Sequence, residues 1–141
     1  MKDNELAEPR TIIVPEETDL TRPYWDGARA HELRLQNCDD CSRVWHPPLP
    51  LCPGCGGASI SWRAAQGTGV VHSVTVTHQA AHPAFASRVP YAVVVVRLSE
   101  GVLIVGNVLD AAPYDVAIGQ PVTVAFEEIA PGVTLPQFVL T

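Results

Sequence analysis

Four cysteines stand in two Cys-x-x-Cys pairs, Cys38 and Cys41 in NCDDCS, Cys52 and Cys55 in LCPGCGG. Each such turn aims two thiolates at one point, and its main-chain amides can donate to the sulfurs. Two knuckles supply the four tetrahedral sulfur ligands that zinc prefers. Pro53 and Gly54 tighten the second turn, while Gly56 and Gly57 allow unusual backbone angles just after it. Two disulfides would need an oxidising compartment, and the polar, acidic residues 1–10 give no sign of export. A redox Cys-x-x-Cys needs no second copy. Rubredoxin-like iron is chemically possible, but ten residues between the knuckles are few for an electron carrier. The expectation is a closed structural site with one zinc per chain and no open position for metal catalysis. His46, between the knuckles, reads as a surface or wedge residue; a fifth ligand is unnecessary.

Other chemistry-bearing residues are sparse. His82 and Arg88 lie in a connection, residues 79–90, of the kind that often carries function, and are candidate ligand contacts together with Arg63 and His78. His72 and His78 fall on one face of a strand, about 20 Å apart at normal strand rise, which is too far for a metal pair. There is no G-x-S-x-G elbow, no cysteine beyond the four, and no Gly-rich phosphate loop. No catalytic residue is assigned.

The elements that must hold these residues follow from punctuation and periodicity. Residues 1–20 have no clear period and read as an extended acidic arm. Residues 21–32 read as a short helix, with Thr21 as cap, Pro23 in the first turn, and Tyr24, Trp25 and Ala28 on one face; Gly27 weakens it. Leu33 and Leu35 before the first knuckle, and Val44 and Trp45 after it, read as short strands of a zinc ribbon, completing a unit over 21–62. Residues 63–141 are rich in Val, Thr and Gly and divide into strands at 70–78, 91–98, 102–109, 122–128 and 133–140. Strict alternation places Val70, His72, Val74, Val76 and His78 on one face of the first. The fold class expected is mainly β: a short helix and four-cysteine zinc ribbon, then a five-stranded OB-type Greek-key barrel.

The chain has 141 residues, 47% hydrophobic and 17% charged, with net charge −6. That composition excludes wholesale disorder and disfavours nucleic-acid binding by bulk charge. The longest apolar run, residues 91–96, is far too short to span a membrane, so a cytoplasmic protein is expected. Residues 1–40 carry ten acids against five bases, whereas residues 41–99 carry no carboxylate at all. The middle is either a charge-poor core or an anion-binding face. Strands 91–98 and 102–109 are apolar on both faces, which a small free barrel should not be. Helix and arm, or another chain, are expected to cover the excess.

Taken in order, PYWDGA, CDDC, CPGCG, SWRAAQGTGVVHSVTVTH, the HPAF to VGNV stretch, IGQPVTVAFEE and LPQF resemble the zinc-ribbon/OB-fold, acyl-CoA-associated family of thiolase partner proteins, over about residues 20–141. The resemblance implies a non-catalytic accessory subunit of a thiolase-fold enzyme, in a heterotetramer of two partner and two accessory chains. It implies a structural zinc and a CoA thioester shared with the partner, which supplies the catalytic residues. Relatives of this kind assist thiolysis, Claisen condensation, acetyl transfer, or retro-aldol cleavage of steroid side-chain CoA thioesters. Two other classes compete. A single-strand nucleic-acid binder needs basic residues among its aromatics, yet from residue 63 onward there are only Arg63, Arg88 and Arg97. An independent acyl-CoA hydrolase needs a general base, for which His72 or His78 would have to serve.

Overall fold

The computed structural model describes residues 13–141. The expected arm therefore lies outside the described residues up to residue 12. In chain order the elements are α1 (Arg22–Arg29), β1 (Arg34–Cys38), β2 (Val44–Trp45), β3 (Ile60–Ala64), β4 (Thr68–Thr77), β5 (Tyr91–Leu98), β6 (Leu103–Asn107), β7 (Pro121–Ala130) and β8 (Val133–Leu140).

Pro23 suits the first turn of α1, but Thr21 does not cap it through its side chain. Its hydroxyl is instead within 3.0 Å of the Thr18 N–H, in a turn that leads into the helix. Gly27 is a packing requirement here. A Cβ at that position would lie 2.7 Å from the Glu32 carbonyl and 2.8 Å from the Arg34 side chain. The turn after α1 reverses at His31, whose φ of 57° is unusual for a side-chain-bearing residue, and its ring stacks on Phe126 at 5.0 Å.

The ribbon is a three-stranded antiparallel sheet in the order β2-β1-β3. β3 is a strand that the sequence reading does not anticipate. Ile60 and Trp62 alternate there with serine and arginine, and the strand runs in register from Arg34↔Ala64 to Cys38↔Ile60. The barrel sheet has the order β6-β5-β4-β7-β8, with every neighbouring pair antiparallel. It closes through a parallel bridge between Val108 and Phe138, where the Leu109 N–H donates to the Phe138 carbonyl at 2.8 Å. Five strands closed in this way form the expected OB-type Greek-key arrangement.

Strict alternation fails in β4. The β5 register jumps from Val71↔Val96 to Ser73↔Val95, leaving His72 as the extra residue of a β-bulge. Val71 is buried before the bulge and Val74 faces the core after it, while Val70 and His72 are exposed. The common face expected for Val70, His72 and Val74 is thus corrected: one inserted residue flips every later side chain.

One core joins the two sheets. Leu33 and Leu35 from the ribbon side pack in the same cluster as Val71, Val94, Val96, Val122 and Phe138 from the barrel. α1 lies mainly against β8 and β1, and its Tyr24 and Trp25 reach the hollow bordered by Val93 and Val105. Val105 is 64% exposed and Leu103 43% exposed.

Beyond the Val108–Phe138 bridge, β6 and β8 diverge into an open seam. Phe138 directs its carbonyl into that seam, and by the two-residue period Pro136 does the same. Having no N–H, Pro136 offers the seam no donor.

Candidate metal centre and adjoining grooves

The two knuckles converge. All four sulfurs, of Cys38, Cys41, Cys52 and Cys55, lie within 4.8 Å of one another. The Cys38–Cys55 and Cys41–Cys52 sulfurs are each 3.6 Å apart. A tetrahedral four-cysteine site with zinc–sulfur bonds of about 2.3 Å has edges of about 3.8 Å, so the cluster fits zinc closely. Main-chain amides are aimed at the sulfurs: Cys41 N–H at Cys38 (3.5 Å), Gly54 N–H at Cys52 (3.4 Å) and Gly57 N–H at Cys55 (3.4 Å). Hydrogen bonding from the Cys55 and Gly54 amides pulls the Cys52 thiol down to about 6, whereas, against the pull of the Gly57 amide, the crowding of neighbouring sulfurs pushes Cys55 up to about 12, so without a metal the four thiols share their protons unevenly.

The sequence folds this way for local reasons. β1 ends at Cys38, and the chain reverses at Ser42, which takes a φ of 63°. Gly56 makes the equivalent reversal at 74°. Cys38 and Cys52 are buried against Trp45 and Ile60, whereas Cys41 and Cys55 face outward. With four thiolates around it, zinc would have no open position and would serve as a cross-link between β1 and the second knuckle.

His46 is a wedge. Its ring lies 5.2 Å from that of Tyr24, and burial holds its imidazole down at about 4. Burial likewise lifts the Tyr24 hydroxyl to about 12.

The four residues singled out as ligand contacts are not gathered into one site. Among the described residues, no hydrogen bond or ion pair links any of them to another. His78 shares a 2.6 Å hydrogen bond with the Tyr114 hydroxyl. His82 accepts from the Ala84 N–H at 3.1 Å and so caps a short 3-10 turn, Pro83–Phe85. Arg88 lies 3.8 Å from Glu127. Arg63 is exposed on β3 opposite Leu35, on the ribbon sheet.

Two hollows border β6. The larger, about 300 Å³, lies in the seam and is walled by Tyr24, Trp25, Phe85, Tyr91, Val93, Val105 and Pro136, with Asn107 and Gln137 as its polar groups. Four of the nine aromatic residues are here. Gln137 accepts from the Asn107 N–H at 2.7 Å, and its own amide donates toward Glu127, the partner of Arg88. Asn107 donates in turn to the Ala92 carbonyl at 2.7 Å. A polar chain thus runs from the 79–90 connection to the groove. Sequence reasoning missed Asn107 and Gln137. The available signal was a lone amide inside each of two apolar runs, LIVGN and LPQFVL. The smaller hollow, about 250 Å³, lies between ribbon and barrel, against Arg43, Trp45, His46, Glu100 and Leu103.

Comparison with known proteins places this geometry. The model for the rubredoxin-like zinc ribbon domain of ChsH2 matches residues 25–61, and that for the C-terminal OB-fold domain of ChsH2 matches residues 62–127. A solved chain of the Ltp2-ChsH2(DUF35) aldolase superposes with a TM-score of 0.81 at 37% identity, covering 89% of this chain and 98% of that one. The chain belongs to the DUF35 family. Relatives by sequence include a probable enoyl-CoA hydratase alpha subunit of Thermomonospora curvata, 40% identical over 115 residues, or 82% of this chain and 35% of the relative. A 3-oxo-4,17-pregnadiene-20-carboxyl-CoA hydratase alpha subunit of Mycobacterium tuberculosis is 35% identical over 119 residues, 84% of this chain and 37% of the relative. The chain therefore spans about a third of the length of these two curated relatives. No helix among the described residues is long and apolar enough to cross a membrane.

Proposed function

We propose that this DUF35 chain is a non-catalytic accessory subunit of a thiolase-fold enzyme that acts on acyl-CoA thioesters. Retro-aldol cleavage of a steroid side-chain thioester is the reaction favoured. The observation that carries the reading is the near-complete overlap with the chain of the Ltp2-ChsH2(DUF35) aldolase. The names of the sequence relatives, both alpha subunits of CoA-thioester hydratases, agree with it. Exposed Val105 and Leu103, on strands apolar on both faces, suit a subunit that buries this face against a partner.

In this reading zinc holds the ribbon rigid and takes no part in bond making. The chain's own residues shape one wall of the CoA channel. The carboxylate-free stretch 41–99 avoids repelling the phosphates of CoA, and His82, Arg88, Arg63 and His78 are the proposed contacts. The partner contributes the reacting groups, in a complex of two chains of each kind.

Co-expression with the thiolase-like protein encoded beside it tests the reading. A stable complex that turns over an acyl-CoA thioester, with neither chain active alone, is the expected outcome. Turnover by this chain alone would favour the independent hydrolase. Salt-dependent binding to single-stranded DNA would favour the nucleic-acid reading instead.

A further inference from the structure

The seam of the barrel has two unlike edges. The Leu98 N–H donates to the Val102 carbonyl at 2.9 Å, which fixes the phase of the β5–β6 ladder. Counting along the pairs Val96↔Ile104 and Val94↔Gly106, the ladder groups belong to Ile104 and Gly106. Leu103, Val105 and Asn107 therefore turn their main-chain groups away from β5. The Asn107 N–H is already taken by Gln137 at 2.7 Å, which agrees with this phase. Leu103 and Val105 have no such partner among the described residues, and their side chains are also exposed. β8 cannot close over them, because Pro136 stands on its side of the seam without a donor.

The β6 sequence, LIVGN, contains no lysine, no proline and no charge. It borders two hollows. Leu103 lines the hollow against the ribbon, and Val105 lines the larger one in the seam. Tyr24 and His46, one from each, meet with their rings 5.2 Å apart. A free strand edge beside the largely apolar seam hollow fits the alternating side chains of an extended peptide. In the ribbon-side hollow stands Arg43, which forms no ion pair among the described residues and shares the hollow with Glu100, whose Oε1 accepts from the Gln66 N–H.

We propose that the β6 edge receives an extended segment of the partner subunit as an added strand, apolar at alternate positions and carrying a carboxylate where it passes Arg43. This rests on the reading that the chain works in a two-protein complex. Main-chain pairing with Leu103 and Val105 supplies affinity, and the groove side chains supply specificity.

The test uses Val105→Pro. The Val105 N–H points away from the ladder, so proline there removes the outward donor and leaves the β5 pairing intact. The variant is expected to melt within about 3 °C of wild type and keep its zinc, yet to bind the co-expressed thiolase-like partner at least tenfold more weakly. Arg43→Glu is expected to weaken binding as well. In wild type, hydrogen exchange at Leu103 and Val105 should slow at least tenfold in the complex. If wild type forms the complex and folded Val105→Pro binds equally well, strand addition is wrong while the accessory-subunit reading stands. Unchanged exchange at Leu103 and Val105 would also overturn it. Should the variant misfold, Val105→Lys, which keeps the N–H but charges the edge, serves instead with the same two outcomes. Val105-dependent dimerisation of this chain alone would identify the occupant as a second copy and overturn the proposal. Failure of wild type to form any complex would remove the subunit reading and this inference with it.

Discussion

At the scale of single residues, the cysteines decide most. Cys38→Ser leaves three sulfurs where zinc needs four, and Cys38 is fully buried. Elemental analysis should fall from one zinc per chain to near none, with loss of the ribbon's near-UV signal. Retention of a full zinc equivalent would show that the cluster is not the site. Gly27 offers a sharper contest. Alanine would gain about 1 kcal/mol of helix propensity, but its Cβ would meet the Glu32 carbonyl at 2.7 Å. Main chain cannot yield as a flexible side chain can, so Gly27→Ala should destabilise by about 1–3 kcal/mol in urea melts. His46 links stability to pH. Burial holds it at about 4 when folded, against about 6.5 when unfolded. Between those values the unfolded chain takes up a proton that the folded chain refuses. This contribution is intact above about pH 6.5 and is lost as pH falls toward 4, on the order of 3 kcal/mol in all. His46→Gln should flatten the loss between about pH 7 and 5; an identical slope in both proteins would refute the assignment.

At the scale of elements, the knuckles and the five barrel strands were legible because their signals are local. Cys-x-x-Cys spacing, the Ser99-Glu100-Gly101 hairpin and the Val-rich runs need no knowledge of distant contacts. The bounds of β5 and β8 match the sequence reading. Three features were not legible. β3 carries only half an alternation, and what makes it a strand is pairing along β1, more than twenty residues away in sequence. The bulge at His72 leaves the pattern of residue types unchanged and shows only in the register against β5. The amides of Asn107 and Gln137 meet across the seam, so neither announces itself alone. The site was likewise half legible: four ligands from spacing, but a groove assembled from α1, β5, β6 and β8 could not be read from any one of them. Phe138 shows what an element-level closure is worth. It is fully buried where β8 meets Val108. Phe138→Ala should cost about 3–5 kcal/mol and open the barrel at that bridge, measurable as faster exchange of the Leu109 amide.

At the scale of the whole molecule, ribbon and barrel are coupled. Leu33 and Leu35 belong to the barrel's core as much as to the ribbon's sheet. Zinc removal should therefore lower the melting temperature of the barrel along with that of the ribbon, and calorimetry of the zinc-loaded chain should show a single transition. Two separate transitions, with the barrel's unmoved by a chelator, would mean the units fold independently. The uneven charge also acts at this scale. A carboxylate-free middle beside an acidic head makes association with a charged partner depend on ionic strength more than the net charge of −6 would indicate.

Pro136 carries one more consequence. The two walls of the seam differ: β6 has outward N–H groups at Leu103 and Val105, whereas β8 has a donorless residue at Pro136. On the proposed strand addition, pairing of β6 in one copy with β8 in the next would meet this donorless position, which disfavours growth by repeated edge pairing, the route to fibres.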